Sequence, residues 1–455
     1  MPDHSTGSGA VDLVIPNIAD FNLRHPRLSL DPATRESFVR VGRAFAEQSL
    51  FWSLGERVLV LPGHVDPDWF ADVHDALGDP PPPVVYPVRR TGLVVRDLLD
   101  DAAAMTALRH HLAGHRRVRF VTWGATEELY LLQSALVQLG FEVTTDLPAP
   151  DDYWVSLYLD SKMSCLDLAT QVPGFRVAPG ITVDSWSELR GAVDAVLATD
   201  GAAIVRSMYG VSGEGSAVVR ADPDSRTRFW RAVRDDPLLS LFPLSVQRYL
   251  THQPGLGCPA VDLFIDDAGV SQLFTSVMTV DSHRFTGVNV GPGLLPPAVE
   301  EEMRAVSERI AEAARRLGFR GWFGVDFVVD ADGDLYVTEF NARRTGGTEW
   351  VALLARWRST PETVVRAEPA VAVPDTAGPP PGYADLRPAF TEARRAGVPA
   401  FPTNVRALGH ARRSYGFITG GADGAQAERR AARLRRAVTE RLAGTPVRPA
   451  RRDAA

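Results

Sequence analysis

The chain has 455 residues, of which 45% are apolar and 23% charged, the balance of a globular protein long enough for two or three domains with separate cores. A net charge of −7 argues against nucleic acid held by overall charge. Cys165 and Cys258 are the only cysteines and form no disulfide or metal-ligand pattern, no apolar run approaches a membrane span, and the N-terminus (MPDHSTGSGA) lacks a secretion signal, so a soluble, cytoplasmic protein is expected.

Residues 1–150 read as alternating strands and helices. Val11–Pro16 is a short apolar run, Arg35–Leu50 is helical, and Val58–Leu61 is a buried strand. A helix runs on to Leu77, with Asp66 as N-cap and Pro67 in the first helical position. After the proline run Pro80–Pro83 comes the strand Val118–Thr122. It leads through Trp123, Gly124 and Ala125 into the helix Glu127–Leu139, and a strand follows at Glu142–Thr145. This alternation predicts a mostly parallel α/β domain. His110, His111 and His115 lie on a polar helix with no carboxylate at useful spacing and read as surface residues.

From 151 to 360 the pattern becomes α+β. Ala202–Ser207 and Ser216–Arg220 are strands flanking Gly210-Val211-Ser212-Gly213-Glu214-Gly215, a hairpin flap and not a Walker loop, because no helix follows it. Its backbone N–H groups, with the Ser212 hydroxyl, suit phosphate oxygens, although most such loops are simply hairpins. Strands follow at Leu244–Leu250, Val261–Ile265 and Val270–Thr279, then an amphipathic helix, Pro297–Leu317, that stops at Gly318. His283 and Arg284 precede a Thr-Gly turn and are candidates for a substrate pocket, whereas Trp322 and Phe323 read as core. Residues 361–385, rich in Pro and Ala, predict a linker, and 386–455 a small C-terminal region with one strong helix, Ala425–Leu442.

Two features carry chemistry. The runs GWFGVDFVV and LYVTEFNAR flank the turn Asp330-Ala331-Asp332-Gly333, so alternation points Glu339 and Asn341 the same way and the hairpin brings Asp326 near them. Three hard oxygen ligands, two of them charged, suit one or two Mg²⁺ (or Mn²⁺) ions with coordination positions left for phosphate oxygens. Asp and Asn are poor strand formers, and their presence inside β-branched runs itself suggests a site. The second feature is Lys162, the only lysine in a chain whose other fixed cations are arginines. It stands at the start of a helical stretch, and a compact ammonium suits a phosphate oxygen.

The order of lone lysine, flap, extended segment and acidic hairpin resembles the ATP-grasp superfamily over about residues 150–350. The resemblance implies a pre-ATP-grasp α/β domain followed by an ATP-grasp fold. It implies that ATP is held by Lys162, Arg206 and the flap (Gly210, Ser212, Gly213, Gly215), and that the strand Gln247, Arg248, Tyr249 and Leu250 reads the adenine edge. Asp326, Glu339 and Asn341 match the metal ligands, and Asn341-Ala342-Arg343 the family's Asn-x-Arg, with Thr345-Gly346-Gly347-Thr348 after it. Arg206 stands where a second lysine is usual, and Thr251, His252 and Gln253 where an acid usually holds the ribose, so the ribose partner is left open. The front end and the wording GVSGEG and NARRTGGT are most similar to pre-ATP-grasp peptide ligases of the pheganomycin and L-propargylglycine–L-glutamate types, as is Ala407–Ala411.

What the resemblance implies is formation of a dipeptide or γ-glutamyl amide from small amino-acid substrates in antibiotic biosynthesis, with Lys162 and Arg343 in catalytic roles. Neither nucleic acid nor membrane is an expected partner, and a homo-oligomer is left open. Competing readings are an ATP-grasp enzyme that modifies a protein or carboxylates a small molecule, and a nucleotide-binding regulatory module without chemistry.

Overall fold

The structure, a computed structural model, describes residues 10–25, 28–208, 215–253, 255–281, 284–357, 361–373, 380–410 and 413–444. The first strands are β1 (Ala10–Ile15), β2 (Arg57–Val60), β3 (Val84–Val85), β4 (Arg117–Thr122) and β5 (Glu142–Thr144). They form a parallel sheet in the order β3-β2-β1-β4-β5. Parallel strands need crossovers, and helices such as Pro67–Leu77 and Glu127–Gln138 supply them. Asp66 caps the first of these by accepting from the Trp69 N–H at 3.0 Å, as the Asp-Pro pair predicts.

β6 (Gly180–Val183), β7 (Ala202–Ser207), β8 (Ser216–Arg220) and β9 (Leu244–Arg248) make a small antiparallel sheet, β6-β9-β7-β8. Helices Trp186–Asp200 and Pro223–Asp235 cover one face of it through Leu189, Val193, Phe229 and Val233. β7 and β8 are the two strands expected beside the flap. Gly210, Ser212 and Gly213 lie outside the described residues. Gly215 is described and has φ 68°, a left-handed turn at the foot of the loop, where its carbonyl accepts from the Ser207 N–H at 2.7 Å.

The remaining strands are β10 (Cys258–Ile265), β11 (Val270–Asp281), β12 (Arg284–Val290), β13 (Gly321–Val329), β14 (Leu335–Asn341), β15 (Val364–Ala372), β16 (Ala400–Asn404) and β17 (Ser414–Gly421). They form one antiparallel sheet, β14-β13-β10-β11-β12-β15-β17-β16. The expected linker departs from this: residues 364–372 are a central strand, and β16 and β17 extend the same sheet. Pro369 falls at the register shift between Glu368 and Val371, where a ladder tolerates a residue without an N–H. Of the prolines that suggested a linker, Pro369 marks a bulge. His283 lies outside the described residues, and Arg284 opens β12.

One face of this sheet packs the helix Pro297–Arg316 through Met303, Val306 and Ile310. The other face shares a core with the parallel domain: Phe264, Phe274 and Trp322 join Val14, Trp52 and Val121. That shared core brings the carboxyl ends of β1 and β4 against the end of β14. Trp322 and Phe323 are buried, as expected. Among the described residues no helix is long and apolar enough to cross a membrane.

Candidate active site

The β13–β14 hairpin supplies the acidic cluster. Its turn is held by the Asp330 carboxylate, which accepts the N–H groups of Asp332 (3.0 Å) and Asp334 (2.9 Å), with Gly333 at φ 88°. Register pairs Asp326 with Glu339 and Gly324 with Asn341. A bulge after Asp326 leaves Thr338 as the extra residue, so alternation restarts there and the pair faces one side. Asn341 Nδ2 donates to Asp326 Oδ2 at 3.1 Å. Burial, and then the negative charge of Glu339, raise the Asp326 carboxyl above its ordinary range.

Lys162 comes to this cluster from a distance in sequence. It begins the helix Lys162–Gln171, is nearly fully buried, and its Nζ is ion-paired with Glu339 Oε1. A cation at a helix N-terminus is disfavoured by the helix dipole, and the two together make a strong site for an anion. Glu339 fills that site here. Cys165, one turn on, is buried beside the same charges, and burial pushes its thiol up to about 12.

Arg206, at the end of β7, uses both ends of its guanidinium. Nη1 donates to the Thr338 carbonyl at 3.0 Å, the group the bulge releases from the ladder, and Nη2 donates to Gln247 Oε1. Gln247 is buried and donates in turn to the Ala178 carbonyl at 3.0 Å. Arg248 Nη2 donates to the Tyr336 hydroxyl at 2.9 Å, and Tyr249 stacks under Arg220 at 5.6 Å. The backbone N–H groups of Arg248 and Tyr249 are already given to Pro179 and Ala202. Leu250 lies two residues beyond the end of β9. Thr251, His252 and Gln253 are exposed beside the tip of the acidic hairpin, with His252 bridged to Asp330.

Arg343 leaves the end of β14 toward the parallel domain. Its guanidinium lies over Trp123 (5.4 Å) and Phe21 (5.8 Å). Its Nε is 3.5 Å from Asp160 Oδ1, an ion pair without hydrogen-bond alignment. Asp160 also accepts from Arg24 Nη2 at 2.9 Å and from the Ala342 N–H at 3.2 Å. Sequence reasoning missed this pairing. Asp160 stands two residues before Lys162 and was within reach of inspection, whereas Arg24 carries no local signal. Asp262, on β10 opposite Gly324, was missed as well. It is buried, accepts from Thr345 Oγ1 at 2.9 Å, and burial pushes it up to about 8.

Asp326, Glu339 and Asn341 are hard oxygen donors that fit Mg²⁺ or Mn²⁺: two like-charged carboxylates, one of them driven toward protonation, call for added positive charge. Among the described residues no group of three or more His, Cys, Asp or Glu side chains gathers as a metal site, so this two-carboxylate, one-amide set is the candidate.

No family model matches the sequence, and no curated protein matches it. Solved structures do match. An N5-carboxyaminoimidazole ribonucleotide synthetase in its ADP complex aligns over 95% of this chain and 98% of its own, with TM-score 0.53 and 11% identity. The biotin carboxylase of Campylobacter jejuni, in complex with β,γ-ATP, aligns over 91% of this chain and 88% of its own, with TM-score 0.54 and 14% identity. The Aspergillus clavatus N5-carboxyaminoimidazole synthase, bound to ADP and 5-aminoimidazole ribonucleotide, aligns over 95% and 99%, with TM-score 0.52 and 12% identity. At such identities the likeness speaks for architecture alone, and that architecture is the ATP-grasp fold.

Proposed function

We propose that the protein is an ATP-dependent ligase that joins a carboxylate to an amine, and within that class a peptide ligase giving a dipeptide or γ-glutamyl amide. The observation that carries the reading is the ion pair of Lys162 with Glu339, in one cluster with Asp326 and Asn341. Fold relatives solved with ADP and a β,γ-ATP ligand support ATP as the nucleotide.

In this reading Asp326, Glu339 and Asn341 would hold Mg²⁺ or Mn²⁺, which supplies positive charge to the phosphate oxygens. The N-terminus of the helix Lys162–Gln171 and the Lys162 ammonium present a second positive surface to the triphosphate. Arg206 is held between Thr338 and Gln247 and would offset phosphate charge from there. The flap, with Gly210, Ser212, Gly213 and Gly215, covers the phosphates, while the Gln247–Leu250 segment borders the base. Since the Arg248 and Tyr249 N–H groups are committed elsewhere, the base edge is read there by carbonyls and by Leu250. A substrate carboxylate oxygen attacks the γ-phosphorus and ADP leaves, giving an acyl phosphate. An amine then attacks the acyl carbon and phosphate departs. Arg343 holds the charge that develops on the acyl oxygen.

A second reading has bicarbonate as the carboxylate, favoured by fold relatives named as carboxylating or carboxylate-forming enzymes. One experiment tests both. The protein is incubated with Mg²⁺, ATP and a mixed amino-acid pool including glutamate, with and without bicarbonate, and ADP release and product masses are recorded. ADP release that needs an amino acid, with a product mass one water below the sum of two amino acids, supports the ligase. Bicarbonate-dependent release supports the alternative, and nucleotide binding without turnover rejects both.

A further inference from the structure

We propose that Arg24, from the parallel domain, is a positioning residue: it holds the Asp160 carboxylate off Arg343 and so leaves the Arg343 guanidinium free to face the reacting acyl group. The proposal deepens the ligase reading and rests on it for what Arg343 faces, though not for the contacts themselves.

The hydrogen bonds of Arg343 show which part of its fork is free. Nη1 donates to the Arg344 carbonyl at 2.9 Å. Nε is sealed, with Asp160 Oδ1 at 3.5 Å and out of line. Nη2 has no hydrogen-bond partner among the described residues and, unlike Nε, is not sealed from solvent. The guanidinium thus sits beside a carboxylate without forming the two parallel bonds that such a pair favours.

The carboxylate is engaged elsewhere. Asp160 Oδ2 accepts from Arg24 Nη2 at 2.9 Å, and Oδ1 accepts from the Ala342 N–H at 3.2 Å. Arg24 cannot follow Asp160 toward Arg343, because its own guanidinium is anchored. Nη1 donates to the Phe21 carbonyl, and the group lies 3.3 Å over the Phe21 ring. Phe21 belongs to the helix Ile18–Asn22, directly after β1 in the parallel domain. Without Arg24, Oδ2 has only to turn to close on Arg343, and the resulting pair would cancel the charge offered to an acyl oxygen. Two guanidinium groups around one carboxylate leave one positive charge over, and Arg343 Nη2 presents it.

Asp160 also fixes that charge relative to the phosphate end of the site. It stands two residues before Lys162, which is paired with Glu339, and it bonds the N–H of Ala342, between Asn341 and Arg343. The lysine-bearing segment is therefore tied to the end of β14 at two points, and the parallel domain grips the second of them through Arg24.

The test combines crystal structures with ADP-release kinetics on the full chain. Arg24→Met keeps an unbranched side chain over Phe21 and removes the charge and the donors. In its structure both Asp160 oxygens should lie within about 3.2 Å of Arg343 nitrogens. Its kcat should fall roughly tenfold with the KM for ATP within about twofold, the mark of a misdirected group rather than lost nucleotide binding. Adding Asp160→Asn removes the competing charge while the amide oxygen still accepts from Ala342, so the double variant should regain about threefold or more in kcat over Arg24→Met. Arg24→Lys, which keeps a cation on Oδ2, should likewise recover most of the loss. A merely structural role gives the opposite result, a further loss in the double variant. Should Arg24→Met not fold, Arg24→Gln takes its place with the same expectations, since a neutral amide also loses to a guanidinium.

The proposal is overturned if Asp160 keeps its distance from Arg343 once Arg24 is replaced, if kcat does not change, or if the double variant is no faster than the single one. Absence of ADP release by the parent protein strikes the ligase reading instead, and the crystal structures still decide whether Arg24 holds Asp160 off Arg343.

Discussion

The Lys162 ammonium, at the first position of its helix, is paired with the carboxylate of Glu339, whose strand neighbour is Asp326. One residue that would serve a phosphate is thus held by one that would serve a cation. Occupation of either role competes with the pair. Lys162→Met should lower turnover roughly 10²–10³-fold, the scale of losing one charged group at a transition state. It should also tighten Mn²⁺ binding in the absence of nucleotide, because Glu339 and Asp326 then lack their counter-charge. Calorimetry with Mn²⁺ reads this, and weaker Mn²⁺ binding would show that the lysine supports the cation site and does not compete with it.

Glu339→Gln keeps an oxygen to accept from Lys162 but removes the charge. ADP release should fall by a similar factor while the melting temperature moves little, since the hydrogen bond survives. Near-normal turnover in this variant would take Glu339 out of the site.

Arg206 reaches Thr338 and Gln247 with separate ends of its fork. A lysine keeps the charge but cannot bond both. Arg206→Lys should cost about 1–3 kcal/mol of stability, the scale of a hydrogen bond to a charged group, and raise the KM for ATP. Unfolding in denaturant with the KM measured alongside checks it. Full retention of both would mean that charge alone matters there.

Gly124 has no room for a side chain. A Cβ there would sit 2.5 Å from the Phe21 ring and 3.0 Å from the Arg343 Cβ. Gly124→Ala should displace Arg343, costing about 1–3 kcal/mol in stability and lowering kcat more than the KM for ATP. A drop in stability with kcat intact would separate the packing from the chemistry.

Asp262 is buried, and its folded carboxyl is pushed up to about 8 by that burial. The unfolded chain releases this proton near pH 4, so the folded state holds more protons between about pH 4 and 8 and loses stability as pH rises through that window. The slope has a ceiling of about 1.4 kcal/mol per pH unit. Asp262→Asn removes it, so the variant's melting temperature relative to the parent should climb from pH 5 to pH 8. A constant difference would mean the acid is ionised in the fold.

What local pattern determined is the part whose physics is local. Period-two alternation around Asp326, Glu339 and Asn341, with a D-A-D-G turn between, placed a metal-type cluster on one hairpin, because side-chain direction in a strand follows sequence parity. Strand–helix alternation likewise identified the parallel domain, and Asp66-Pro67 a helix start. Residues 364–372 misled: their proline occupies a bulge inside a central strand, and only pairing with β12 and β17 reveals that. Tertiary structure alone decided that Lys162 meets Glu339 and that Arg24 and Arg343 share Asp160. Those contacts join segments far apart in the chain. They are selected by how two sheets share a core, and burial of that core is non-directional, so no short stretch of sequence encodes the outcome.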